Sequence, residues 1–301
     1  MAALLTALAL TSCSSGNGTP APGSYGVSET AGITYTSLLG APVLLDAFVP
    51  TPGPAGNPPS RRPAIILVHG GAWIGGGRVL VDPLAQKAAS EGFSTFSVDY
   101  TLASATQVGY PLQVEEVLAA VAWVRAHAAS YGVDGGRISL LGTSAGATLA
   151  VDAALEAPTV DPAGAVQAVA GWSGVYRFLP DGSGVGLTGA VALGQQELLG
   201  CRGPAPTAAC AENAAGASAA GHVLDGAPPT LLATSDHYGV GCEIIDPAQT
   251  RALGAALEEA RVATTVHVNH ECAHASGYAD VELQPTLDWF RAELAGQAGS
   301  G

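Results

Sequence analysis

The sequence predicts an α/β protein with a mostly parallel central sheet and helices on both faces. Three observations carry that expectation. From residue 64 onward, short apolar runs rich in β-branched residues alternate with longer segments of helical period, the rhythm of βαβ units. Several of those runs, such as Ala64-Ile65-Ile66-Leu67-Val68, show no polar alternation, as strands buried on both faces do. Finally, 301 residues suit one large core, and 48% hydrophobic against 12% charged residues excludes a disordered chain.

Each element follows in order. Alternating stretches on either side of Gly40-Ala41, residues 33–49, read as an antiparallel hairpin. A Pro-rich loop, 50–63, leads into the first buried strand, 64–68. Asp82-Pro83 opens a helix to about residue 91, with Pro in the first turn where its missing N–H costs nothing. Strand 93–100 follows, then a long helix, 112–130, with Val114, Val117, Leu118, Val121 and Val124 on one face. Strand 137–141, helix 145–155, strand 166–171, strand 230–234, helix 247–260, strand 264–268 and helix 281–294 complete the pattern. Residues 177–227 lack strong periodicity and are dominated by small residues, which predicts a lid-like insertion over the sheet. A single folded domain is expected over 31–295, with a disordered tail at 296–301.

Residues 1–13 read as a targeting segment. The apolar stretch from Met1 to Leu10 is too short to span a bilayer. It runs into Leu10-Thr11-Ser12-Cys13, which resembles a bacterial lipoprotein signal with Cys13 as the lipidated residue, and 14–30 form a flexible tether. An exported domain is the expectation, held at the cell envelope and touching membrane only through a lipid anchor at Cys13, or secreted if the stretch is an ordinary secretory signal. Export favours disulfides. Cys201 with Cys210 and Cys242 with Cys272 are the preferred pairs, although four cysteines allow three connectivities. Eleven basic against twenty-five acidic residues, with Lys87 the single lysine, exclude nucleic acid as a main partner.

The chemistry is carried by Gly142-Thr143-Ser144-Ala145-Gly146, set between a strand and a helix: the G-x-S-x-G nucleophile elbow, with Ser144 as nucleophile. Upstream, His69-Gly70-Gly71-Ala72-Trp73 ends the first parallel strand. Its free backbone N–H groups suit stabilisation of a developing oxyanion, so Gly71, Ala72 and Ala145 are assigned as the oxyanion hole.

With those motifs in place the chain resembles the α/β-hydrolases, and within them carboxylesterases of the hormone-sensitive-lipase-like and feruloyl or acetyl xylan esterase-like groups. The resemblance extends over about residues 63–289. Asp99-Tyr100-Thr101-Leu102-Ala103 is similar to the family's D-Y-R-L-A stretch, with Thr101 in place of Arg, and Ala147 replaces a glycine after the elbow. The resemblance implies a chain order of Ser, acid, His. Asp236, after strand 230–234, is the expected acid, with Asp246 nearby but better suited to capping a helix. His274, in His274-Ala275-Ser276-Gly277-Tyr278, is the expected base, with His270 second. His270-Glu271-Cys272-Ala273-His274 also matches the H-E-x-x-H zinc signature, but that chemistry needs a helix and this stretch follows a strand, so no metal and no cofactor are expected. Trp73, Trp172 and Tyr176 are candidates to line the substrate cleft, with core packing an equal account of Trp172.

The expected activity is hydrolysis of short-chain acyl esters through an acyl-enzyme. An amide or formamide hydrolase on the same scaffold, and a non-catalytic surface binding protein, are the alternatives.

Overall fold

The computed structural model describes residues 24–160, 165–181, 189–202 and 205–295. Cys13, the tether up to residue 23 and the tail from 296 lie outside the described residues. An eight-stranded sheet runs in the order β1-β2-β4-β3-β5-β6-β7-β8. β1 (Gly26–Thr36) and β2 (Val43–Thr51) form an antiparallel edge, and β2 pairs antiparallel with β4 (Ser94–Val98). β3 (Arg62–Val68), β5 (Val133–Thr143), β6 (Ala168–Trp172), β7 (Thr230–Ser235) and β8 (Thr264–Asn269) continue in parallel from β4.

The central strands are buried on both sides, as their unbroken apolar runs require. Ile66, Val68, Ile138 and Leu140 face one hydrophobic layer, and Ile65, Leu67, Leu141 and Ala170 face the other. The first layer is closed by α2 (Leu112–Ala126) and α3 (Ala145–Val160), the second by α1 (Asp82–Ser90) and α7 (Ala279–Ala295). α6 (Ala248–Glu259) covers the far end of the sheet through Leu253 and Leu257. Helices on both faces and a mostly parallel sheet are the arrangement expected from the βαβ rhythm.

Three local details differ from the pattern-based expectation. The hairpin is longer than 33–49 because both edge strands extend past the alternating residues. Asp82 begins α1 but its carboxylate accepts a 2.5 Å hydrogen bond from Ser97 Oγ instead of capping the helix. Within 177–227 there are two helices, α4 (Gly189–Leu199) and α5 (Ala208–Gly216), where no periodicity was evident. α4 buries Val191, Gly194, Gln195, Leu198 and Leu199, and α5 buries Cys210 and Ala214, so small or polar residues interrupt the apolar period on both buried faces. Thr207 caps α5, accepting from the Cys210 amide at 3.1 Å.

Candidate active site

Ser144 follows the last residue of β5 and precedes α3, with φ of 53°, a left-handed conformation that a residue bearing a side chain adopts only under constraint. The constraint is visible in its neighbours. A Cβ on Gly142 would lie 2.1 Å from the carbonyl oxygen of Gly146, and one on Gly146 would lie 2.2 Å from that of Val68. Strand and helix can approach this closely only if both positions are glycine. The Ser144 amide donates to the Trp172 carbonyl at 2.8 Å, fixing the elbow to β6.

From this turn Ser144 Oγ meets His274 Nε2 at 2.8 Å. His274 Nδ1 lies 2.6 Å from Oε1 of Glu243, whose carboxylate is fully buried. Glu243 therefore occupies the place expected for Asp236. Asp236 instead pairs with His270 Nδ1 at 2.8 Å, and both side chains are substantially exposed. The reason is backbone direction. The Asp236 amide still bonds Asn269, extending the β7–β8 ladder by one residue, and the carboxylate points to the outer edge. The chain then loops back, with Gly239 N–H to the Glu243 carbonyl and Glu243 N–H to the His237 carbonyl, delivering Glu243 under His274. Asp246 accepts from the Ala248 amide at 2.8 Å in a local turn one residue ahead of the N-cap of α6, Pro247, close to but not in the capping position expected of it.

Burial alone would push the Glu243 carboxyl up. Donors outweigh it: His274, the Ser173 hydroxyl and the Ile245 amide hold the group below the usual glutamate range, so it is the anion that faces the imidazole.

A signal for Glu243 was present in the sequence. It adjoins Cys242, and Cys272 lies two residues before His274. The structure joins Cys242 to Cys272, and Cys201 to Cys210. Given the first pairing, the acidic residue next to Cys242 is the one delivered to the base loop.

The H-E-x-x-H stretch is not helical. It runs as irregular chain after β8, and His270 and His274 take different partners, which removes the geometry a zinc site of that type needs.

The loop after β3 turns sharply, with Ala72 and Trp73 at φ of 51° and 63°. The Trp73 carbonyl is held by Gln113 Nε2 at 3.0 Å and by the Ala103 amide at 2.9 Å. His69 stacks on Tyr100 with ring centroids 4.2 Å apart, and burial lowers its pKa, so it remains neutral beneath the loop. Gly70, Gly71 and Ala72 line a cleft of about 500 Å³ together with Ser144 and His274. Ala145 begins α3, where helix N–H groups lack intrahelical acceptors. The remaining wall is apolar: Ile74, Leu80, Val81, Val191 and Ile244. Trp73 and Tyr176, expected in this cleft, are instead fully buried in the core, and Trp172, for which cleft and core were equal accounts, is buried there too. Trp73 packs edge-on against Phe178, and Trp172 donates to Thr286 Oγ1 at 3.2 Å. Gly194 of α4 rests on the Ala72 carbonyl, where a Cβ would come within 2.0 Å of the oxygen.

Parallel sheet, strained serine after a central strand, and a histidine reaching it from the loop after the last strand define an α/β-hydrolase. The chain matches the BD-FAE family over residues 53–257 and belongs to it. It is 32% identical over 228 residues to the esterase LipQ of Mycobacterium tuberculosis, covering 72% of this chain and 51% of LipQ. It is 33% identical over 100 residues to mouse hormone-sensitive lipase, covering 33% of this chain and 13% of that protein. The chain thus spans about half, or less, of the length of these relatives. Among solved structures, a truncated carbohydrate esterase from gut microbiota superposes with a TM-score of 0.71 at 20% identity, covering 92% of this chain and 99% of the other. The Thermogutta terrifontis esterase Est2 gives 0.67 at 22% identity, covering 93% and 95%.

Proposed function

We propose that this protein is a serine carboxylesterase that hydrolyses short-chain acyl esters, with Ser144, His274 and Glu243 as its triad. The observation that carries the reading is the continuous line from Ser144 Oγ through both nitrogens of His274 to the buried Glu243 carboxylate, at 2.8 and 2.6 Å, opening on a cleft. The sequence likeness to named esterases supports the same class.

The steps follow from the geometry. Glu243 accepts from Nδ1–H, which leaves Nε2 unprotonated and able to take the Ser144 proton as Oγ attacks the ester carbonyl carbon. The carbonyl oxygen becomes an anion beside the amides of Gly71, Ala72 and Ala145, the assigned oxyanion hole. The tetrahedral adduct collapses, the C–O bond to the alcohol breaks, and imidazolium Nε2–H protonates the leaving oxygen. Water then enters, gives a proton to Nε2, attacks the acyl carbon, and releases the acid while Ser144 Oγ recovers its proton.

Short acyl chains fit the small apolar wall built by Ile74, Val81 and Val191, with α4 resting across the oxyanion loop. Each further buried methylene gains about 0.8 kcal/mol only where surface exists to receive it. Export with a lipid anchor at Cys13 belongs to the same proposal; two cystine pairs in the domain suit an oxidising compartment.

The test is kcat/KM along p-nitrophenyl esters from acetyl to decanoyl, with fluorophosphonate labelling of the wild type and of Ser144→Ala. A maximum at acetyl to butyryl and labelling that vanishes in the variant are expected. A maximum at decanoyl would replace the short-chain reading with a lipase one. Turnover of formanilides above esters would move the protein to the amide-cleaving class, and absent labelling would leave only a binding protein.

A further inference from the structure

Ser173 is the first residue after β6, wholly buried, with φ of 55°. A serine in that left-handed conformation is strained where a glycine would not be, and strain persists where something else requires the side chain. The hydroxyl supplies the reason. Ser173 Oγ lies 2.5 Å from Glu243 Oε2, 2.7 Å from the Tyr278 hydroxyl, and 3.1 Å from the Ala275 amide nitrogen, which donates to it.

A hydroxyl has one proton to give and two lone pairs to receive, so the directions are determined. The Ala275 amide can only donate. Glu243, held as the anion, can only accept, so the Ser173 proton goes to Oε2. Tyr278 O–H then divides its one proton between Ser173 Oγ, the closer acceptor at 2.7 Å, and the Ala233 carbonyl at 3.2 Å. The result is a relay of donors, Tyr278 to Ser173 to Glu243, ending on the carboxylate that orients His274.

The same oxygen joins four pieces of chain. β6 leads into Ser173 itself, and the preceding residue, Trp172, accepts the Ser144 amide. The acid loop contributes Glu243. The base loop contributes Ala275, the residue after His274 and itself at φ of 49°. Tyr278 belongs to the turn that enters α7. We infer that Ser173 is the positioning residue of this active site: its hydroxyl fixes the acid loop and the base loop to the strand beside the nucleophile, and so sets the register of the whole hydrogen-bond line. Ser173 touches no substrate and acts through Glu243 and His274. The inference rests on the triad reading given under Proposed function.

The experiment compares Ser173→Gly, Tyr278→Phe, the double variant and Ser144→Ala in the full chain. Ser173→Gly removes the hydroxyl and relieves the positive φ, so it separates loss of the hydrogen bonds from loss of fold. Measured per fluorophosphonate-reactive site, kcat on p-nitrophenyl acetate should fall about 10- to 100-fold in Ser173→Gly, the scale of a loosened catalytic geometry, with KM within about twofold. The acidic limb of its kcat/KM profile should move to higher pH. With a donor gone, the Glu243 carboxylate is less stabilised, so its protonation sets in at higher pH. Tyr278→Phe should shift both readouts the same way by less, and the double variant should fall short of the product of the two single effects. Wild-type kcat and an unmoved acidic limb in folded Ser173→Gly would overturn the inference while leaving the triad standing. Retained turnover in Ser144→Ala would overturn the triad reading itself.

Discussion

Replacing Glu243 with Gln tests the site at its least expected member. The native carboxylate sits 2.6 Å from His274 Nδ1 with no solvent contact. Proton transfer from Ser144 makes the imidazole a cation, and the adjacent anion then gains a full charge interaction. At an effective permittivity of about 20, two unit charges at that separation attract by about 6 kcal/mol, an upper bound because both charges are spread over several atoms. A loss of about 5 kcal/mol is about 10⁴-fold in rate, which matches the scale seen when a triad aspartate becomes asparagine. Geometry adds to the penalty. A glutamine turned to offer its oxygen to Nδ1 points its NH₂ at Ser173 and at the Ser235 amide, both of which donate to the native carboxylate. Turned the other way it offers a donor to Nδ1 and imposes the wrong tautomer. The assay is kcat/KM for p-nitrophenyl acetate, paired with thermal melting to establish folding, for Glu243→Gln and Asp236→Asn together. Asp236→Asn, which weakens exposed pairs with His270 and His237, should stay within about twofold of wild type. A larger loss from Asp236→Asn than from Glu243→Gln would refute the assignment of the acid.

Further expectations concern other parts of the molecule. Ser144→Ala should lower turnover by about 10⁴-fold or more with an unchanged melting temperature. Replacing both Cys242 and Cys272 with Ser opens a loop with a sequence separation of 30 and should cost about 3–4 kcal/mol on the loop-entropy account, measured by urea unfolding. Activity per folded molecule should fall as well, because the bond ties the loop of Glu243 to that of His274. Gly194→Val should reduce kcat, since its Cβ would collide with the Ala72 carbonyl, while Leu193→Ala on the exposed neighbouring position should not. Asp152 is fully buried on α3, its oxygens meet no protein donor among the described residues, and burial raises its pKa well above the usual aspartate range, with Glu156 adding to the rise. It folds neutral but is ionised in the unfolded chain above about pH 4. Its stability contribution is intact below that pH and declines as pH rises toward the folded pKa. Asp152→Asn should therefore gain melting temperature relative to wild type progressively between pH 4 and 8, and a flat difference would contradict this.

The sheet and the elbow were legible because each is written locally. A buried parallel strand is an apolar run, and Gly142-x-Ser144-x-Gly146 is a five-residue motif, Gly142 required by the local approach of Gly146 and Gly146 by the backbone of Val68 and His69 at the end of the neighbouring strand. His274 was legible through its place after β8. The acid was not, because its position depends on how a loop of mixed composition returns after β7, and Asp236 offered a carboxylate at the nearer, wrong point. The covalent tie from Cys242 to Cys272 carried the missing information. Trp73 and Tyr176 were misplaced for another reason: large aromatics near catalytic motifs serve packing as readily as binding, and here both fill the core with Trp172, whose core account is the one that holds. Helices α4 and α5 were hard to read because Gly194 and Gln195 interrupt the buried face of α4, and the small residues Cys210 and Ala214 make up that of α5.

The seating of α4 on Ala72 has a consequence for how such enzymes diversify. In a scaffold whose insertion hangs free, a new cover can be spliced in to change the guest without touching the engine. Here a single glycine, Gly194, lies against the carbonyl of Ala72, a residue of the loop that lines the cleft beside Ser144. Transplanting residues 177–227 from another hydrolase would therefore import a different footing for the catalytic loop along with a different roof. Swaps of this segment should succeed only where the donor also brings a small residue at the touching point. In this chain, specificity and rate are written on the same hinge of backbone and are inherited together.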